Sequence, residues 1–294
     1  MDLGWPARIV PIEHLPNIKK AIVGRHEQAL FDETFYQERL TWFSFEPPEE
    51  LPAVRSMIVL AVPVPTFRTF FRWKGRDVAG ILPPTYVGYQ STTRRVQTSA
   101  GELLAREGYE AAPTRLPLKT LAVSSGLADY GRNNITYVSG MGSFHQLVGC
   151  YSDMPPADDP WREPQMLARC EKCTACLRHC PTGAIREDRF LLHAERCLAY
   201  QNERAGDFPG WINPVWHNSL LGCMLCQQAC PENREFVGRI EDKSGFSEEE
   251  TELILAGTTA DRLPLDTLAK LQELDLLEDL PSLARNLGVL LNKA

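Results

Sequence analysis

An α+β protein in three consecutive pieces is what this sequence predicts, and three observations carry the prediction. The first 150 residues hold one cysteine and mix short apolar strands with helical patterning. Eight of the nine cysteines in the 294-residue chain then fall between Cys170 and Cys230. Beyond residue 246 the leucines recur at helical spacing. The expected pieces are an N-terminal α/β domain over 1–155, a cysteine-rich module over 165–238 and a helical tail over 246–294.

Each element has its own signal. Residues 17–29 carry weak helical patterning, and RSMIVLAV at 55–62 reads as a buried strand closed by Pro63 and Pro65. Residues 67–84 are aromatic and basic with Gly and Pro breaks, which reads as a long loop. Residues 96–107 have helical spacing stopped by Gly108, and 118–125 form a second short helix ending at Gly126. Residues 135–138 and 146–151 read as strands. PPADDPWREP at 155–164 is a proline-rich hinge and the best candidate domain boundary. The tail reads as three short helices, with Leu253, Leu255, Leu268, Leu271 and Leu287 on their apolar stripes. It is expected to pack on the body without chemistry of its own.

The cysteines form two runs. One is Cys170-x2-Cys173-x2-Cys176-x3-Cys180-Pro181, and the other is Cys223-x2-Cys226-x3-Cys230-Pro231, with Cys197 between them. Soft thiolates suit iron–sulfur clusters, and short CxxC turns let neighbouring sulfurs share one without strain. In two-cluster ferredoxins the cysteine before proline crosses to the other cluster. That crossing assigns Cys170, Cys173, Cys176 and Cys230 to one [4Fe–4S] cluster and Cys180, Cys197, Cys223 and Cys226 to the second. Zinc has no need of a repeated run with a crossing partner. Disulfides need an oxidising compartment that nothing here indicates. The module therefore reads as a bacterial-type, ferredoxin-like domain that moves electrons singly. Trp211 and Trp216 are expected to pack over a cluster.

Apolar content of 44% and charged content of 23% are ordinary for a soluble protein. The formal charge of −7 comes from residues 241–294, which hold 12 acids and 5 bases, while the preceding stretch is balanced. No basic patch dominates, so nucleic-acid binding has little support. The longest apolar run, 57–64, is far short of a membrane span, and the N-terminus shows no signal-peptide pattern. A cytoplasmic protein is expected. No dinucleotide or P-loop fingerprint is present.

The informative stretch of the first piece is 125–153, SGLADYGRNNITYVSGMGSFHQLVGCYSD. Its glycines punctuate turns, and Arg132, Asn133, Asn134 and Ser143 place polar donors among them. Turn chemistry alone is the competing reading. GLADYGRNN and GMGSF, followed by the double-cluster run, the lone Cys197 and the tail motif ARNLGVLLN, resemble the epoxyqueuosine reductase and reductive dehalogenase superfamily. The resemblance implies a nitroreductase-like α/β domain binding base-off cobalamin, fed by a low-potential donor such as ferredoxin or flavodoxin. It places Gly131, Asn133, Gly142, Ser143 and His145 near the corrinoid. Tyr130 becomes the candidate acid and Arg132 the anion stabiliser, because a guanidinium beside a tyrosine favours the tyrosinate left after proton donation.

Departures from the family pattern matter. Its epoxyqueuosine reductases carry an aspartate proton donor where Ala112 stands here, and Glu110 would sit about 7 Å away along a strand. Activity on epoxyqueuosine is therefore not expected. The chain also lacks the twin-arginine export signal typical of respiratory reductive dehalogenases, so a cytosolic relative is expected. Corrinoid proteins that replace the lower base use D-x-H-x-x-G, and the sequence around His145 lacks that aspartate and glycine spacing. His145 is expected at a strand edge or behind the site, and Cys150 as a buried apolar thiol. Three readings remain: a corrinoid-dependent reductase of a small organic molecule, a non-catalytic electron or corrinoid carrier, and a ferredoxin fused to a cofactor-free binding domain.

Overall fold

The computed structural model describes residues 4–293 in two compact units interleaved in sequence. The first takes the chain up to Pro63, then Gln90–Thr174 and Glu187–Leu192. The second takes Val64–Tyr89, Ala175–Arg186 and His193 onward. The units are thus not consecutive stretches. Residues 64–89 leave the N-terminal piece for the second unit, and the proline-rich segment 155–164 lies inside the first.

The first unit is built on a four-stranded antiparallel sheet in the order Ala7–Pro11, Ser56–Pro63, His145–Ser152, Ala111–Pro113. Side chains alternate across a strand, and Ser56–Pro63 uses both faces. Met57, Val59 and Ala61 enter one core with Leu15 and Ile18 of the helix Leu15–Glu27 and Leu121 to Val123 of the helix Leu118–Ser124. Ile58, Leu60 and Val62 enter another with Val96 and Leu104 of the helix Tyr89–Arg106. A strand covered twice reads as a continuous apolar run, as 55–62 does.

The proline-rich segment is strapped down within this unit. His14 stacks on Trp161 at 4.2 Å and bonds Asp159 at 2.8 Å, while Arg162 donates to the Ala128 carbonyl and pairs with Asp129 at 2.5 Å. The expected strand at 135–138 is the two-residue Thr136–Tyr137, paired with Asp129–Tyr130.

In the second unit, the expected loop at 67–84 is a hairpin of Thr66–Trp73 and Arg76–Leu82. The reason is period-two burial: Phe67, Thr69 and Phe71 point inward while Arg72 faces water. Lys74 and Gly75, both at positive φ, make the two-residue connection such hairpins favour. Gly and Pro here mark a turn and strand ends. Ile240–Asp242 adds a parallel strand. The tail forms three helices, Glu248–Leu255, Leu265–Glu273 and Leu280–Lys293, whose Ile254, Leu271, Leu283 and Leu287 share one core with Phe67, Phe71 and Leu82. Among the described residues, no helix is long and apolar enough to cross a membrane.

Candidate iron–sulfur and cofactor site

Within the second unit, Cys197 caps the helix Leu198–Glu203, Cys223 and Cys226 flank the start of the helix Leu225–Gln228, and Cys180 follows the helix Ala175–His179. These folds aim polar hydrogens at sulfur. The Asn218 amide donates to Cys223 Sγ at 3.3 Å, and the Thr182 hydroxyl lies 3.6 Å from Cys180 Sγ. Backbone N–H groups of Ala199 and Tyr200 reach Cys197, and that of Leu225 reaches Cys223. Burial, with the Cys223 thiol next, pushes Cys197 up to about 12; Cys180 adds to the rise and the two backbone donors oppose it. Thiols this close and this desolvated resist ionising together unless a cation sits among them. The donor set fits a cluster, because hydrogen bonds to thiolate sulfur are what tune such centres. Among the described residues, no three His, Cys, Asp or Glu side chains could share one metal ion. A cuboidal cluster asks something different, one thiolate on each of four irons.

Other side chains hold this arrangement. Asn218 Oδ1 accepts from the Met224 N–H at 2.9 Å. Asn286, in the tail motif, donates to the carbonyls of Asn202 at 2.8 Å and Leu220 at 3.0 Å. Arg285 donates to the carbonyls of Gln201 and Gly206 and lies over the Phe208 ring. The tail thus has a positioning role that its leucine pattern did not reveal. Tyr86 donates to Glu203, and burial, then the Glu203 charge, keeps its hydroxyl protonated far above the usual range. Trp211 is 42% exposed beneath the Arg196 guanidinium, and Trp216 ends the short turn Pro214–Trp216. Of the remaining cluster cysteines, Cys170 and Cys173 belong to the first unit, and Cys176 and Cys230 to the second.

The glycine-rich stretch lies in the first unit, and its polar groups are partly spent on itself. Asn133 donates to the Tyr137 hydroxyl at 3.0 Å and accepts from the Ile135 N–H. Its Oδ1 and the Tyr137 ring occupy the space a side chain at Gly131 would need. His145, 6% exposed, bonds Thr136 and the Gly142 carbonyl, each at 3.1 Å. Burial drives its pKa down to about 4, against the pull of the Gly142 bond, so the ring is neutral. It sits within the strand His145–Ser152, with both nitrogens engaged. Ser143 is buried in the same connection.

Tyr130 and Arg132 do not meet as expected. The Tyr130 hydroxyl lies 3.5 Å from Thr120 Oγ1, its ring stands edge-on to Phe190, and the cation it feels is Arg25. Burial raises its pKa and makes it a poorer acid. Arg132 instead donates through Nη2 to the Cys170 carbonyl at 2.6 Å. Its Nε is buried without a partner among the described residues. An unsatisfied buried donor is costly, and an acceptor such as a corrinoid carboxamide would satisfy it. Arg132 therefore fits the cofactor, whereas Asn133 and His145 already have partners.

Ala112 pairs with Tyr151 and, with Arg94, Gln97, Thr98 and Cys150, lines an open groove of about 300 Å³. None of these is an acid near neutral pH, and burial pushes Cys150 up to about 12. Glu110 is exposed; its backbone N–H bonds Asp153.

Residues 169–233 match the family model for a 4Fe-4S double cluster binding domain, so this segment is a two-cluster domain. The epoxyqueuosine reductase of Salmonella typhimurium is 34% identical over 155 residues, 52% of this chain and 38% of that protein. The chain thus spans well under half the length of this curated relative. The epoxyqueuosine reductase of Bacillus subtilis, solved with its catalytic aspartate loop swung out of the active site, superposes with a TM-score of 0.67. Identity is 19%, and the overlap covers 97% of this chain and 76% of that one. An epoxyqueuosine reductase solved with an epoxyqueuosine-modified tRNA stem loop gives a TM-score of 0.60 at 18% identity, covering 94% and 81%. Sequence and fold together bear out the resemblance to epoxyqueuosine reductases.

Proposed function

We propose that this chain, a relative of epoxyqueuosine reductases in sequence and in fold, is a cytosolic iron–sulfur reductase. It would take electrons from a low-potential donor through two [4Fe–4S] clusters to a base-off corrinoid and on to a small organic acceptor. Residues 1–155 would form the corrinoid-binding domain and 165–238 the cluster domain. The observation that carries the reading is the set of N–H and O–H donors aimed at Cys180, Cys197 and Cys223 inside a double-cluster domain.

A bound corrinoid supplies a strongly reducing cobalt, which is the hard part of the chemistry. The chain's residues do the rest. Arg132 would hold an acceptor atom of the cofactor through its spare Nε, with Gly142 and Ser143 bringing backbone close. The aspartate of epoxyqueuosine reductases has no counterpart at Ala112, so the acceptor is proposed to be something other than epoxyqueuosine. The tRNA stem loop is the ligand with which that neighbouring protein was solved.

Anaerobically purified protein should carry about eight irons per chain. Titrated with hydroxocobalamin and reduced, it should show a base-off Co(II) spectrum, and refusal of the cofactor overturns the corrinoid part. The acid-free groove at Ala112 favours a second reading, a corrinoid-handling carrier without turnover. Reduced cofactor left unconsumed by epoxyqueuosine and halogenated phenols would select it. Turnover of modified tRNA would replace the small-molecule acceptor.

A further inference from the structure

Five observations converge on one loop of the second unit, far in sequence from any cysteine. Thr85 sits at φ 75°, a left-handed conformation that is a true outlier for a β-branched residue. Such conformations persist where the surroundings over-determine them, and they gather at functional sites. Both sides of Thr85 are tied down: the Tyr86 N–H bonds the Pro83 carbonyl, and the Gly88 N–H bonds Asp275 at 2.7 Å. The turn projects the Tyr86 hydroxyl onto the Glu203 carboxylate. The same hydroxyl packs on Gly222, the residue before Cys223, so closely that a built Cβ there would lie 2.6 Å from it. Asn202, beside Glu203, fixes the Gly222 carbonyl at 2.8 Å.

These contacts place a carboxylate beside the ligands of one cluster. Glu203 ends the six-residue helix that Cys197 caps, roughly 9 Å of helical rise from that cysteine. Its partner Tyr86 touches the backbone leading into Cys223. A cluster held by four thiolates is already anionic, and reduction adds another negative charge. A fixed anion nearby therefore opposes reduction, and protein charge and hydrogen bonding are what set such potentials.

We propose that the Tyr86–Glu203 pair sets the potential of the Cys180, Cys197, Cys223 and Cys226 cluster. Tyr86 holds the carboxylate at the cluster and lowers its reduction potential, which suits the cluster to deliver strongly reducing electrons. Tyr86 and Glu203 are positioning residues, and the inference rests on the double-cluster domain and not on the corrinoid.

The test is an anaerobic potentiometric titration of the holo-protein, read by EPR. A Cys197→Ser variant identifies which signal belongs to this cluster. Glu203→Gln should make its one-electron reduction roughly tenfold more favourable, a rise of about 59 mV for a one-electron couple, with the other cluster unmoved. Tyr86→Phe removes one hydrogen bond that fixes the carboxylate and should give part of the same rise, and the double variant no more than Glu203→Gln. Unchanged potentials, or equal shifts in both clusters, overturn the proposal. Should Glu203→Gln not retain the cluster, Tyr86→Phe is read alone, and an unmoved potential there overturns it. Failure of the double-cluster reading looks different: low iron and no cluster signals in the unmodified protein.

Discussion

Two buried histidines show how strongly single side chains depend on surroundings. His145 and His217, 6% and 1% exposed, both have pKa values driven down to about 4 by burial. For His217 the cations Arg285 and Lys293 add to the effect. A histidine titrates near 6.5 when unfolded, so between that value and about 4 the unfolded chain binds the proton and the folded chain does not. Stability from these groups is complete above pH 6.5 and is lost as pH falls through the window. For His145 the loss is on the order of 3 kcal/mol. Urea unfolding at pH 7 and pH 4.5 should show it, and His145→Gln should flatten the difference. The cluster cysteines permit a sharper check. Cys197→Ala should lower iron from about eight to about four per chain while leaving one cluster signal. Loss of both signals would mean that the two clusters do not assemble separately.

Elements in the second unit are held by polar anchors as much as by leucines. Asn286 of the helix Leu280–Lys293 satisfies the carbonyls of Asn202, in the helix that Cys197 caps, and of Leu220, just before Cys223. Removing a partner from buried groups costs about 1–3 kcal/mol. Asn286→Ala should therefore lower the midpoint of thermal unfolding and speed oxygen bleaching of the second cluster. Normal cluster lifetime would show that the tail does not support it. The helix Glu248–Leu255 starts with a capping box between Ser247 and Glu250, and Glu250 also meets Lys270 at 2.6 Å and Thr267 at 3.0 Å. Burial pushes the Glu250 pKa up, but the Lys270, Ser247 and Thr267 hydrogen bonds outweigh it, so the carboxyl lies below its usual value. Its contribution is present above the ordinary glutamate pKa and lost as acid protonates the folded form. Glu250→Gln should therefore destabilise the protein at pH 7 and much less at pH 3, as read by circular dichroism.

At the scale of the whole molecule, sequence was most informative where chemistry is local. The CxxC turns and pre-proline cysteines name their cofactor because ligand spacing along a short chain fixes which sulfurs can share a cluster. The doubly buried strand Ser56–Pro63 and the three tail helices were legible because periodicity is a short-range property. The hairpin over Thr66–Leu82 was not, because aromatic and basic residues with Gly and Pro obey loop statistics until burial shows which face each occupies. The meeting of Arg132 with Cys170, and not with Tyr130, was equally invisible, since the strand ends at Tyr130 and Arg132 sits in the turn that follows, where strand alternation no longer sets direction. What the sequence by itself determined is the number and kind of metal centres and the apolar face of most elements. Only the tertiary structure decided which polar atoms are spent and which remain free to bind. Desolvation and long-range hydrogen bonds, such as that between Tyr86 and Glu203, arise only once distant segments have packed together.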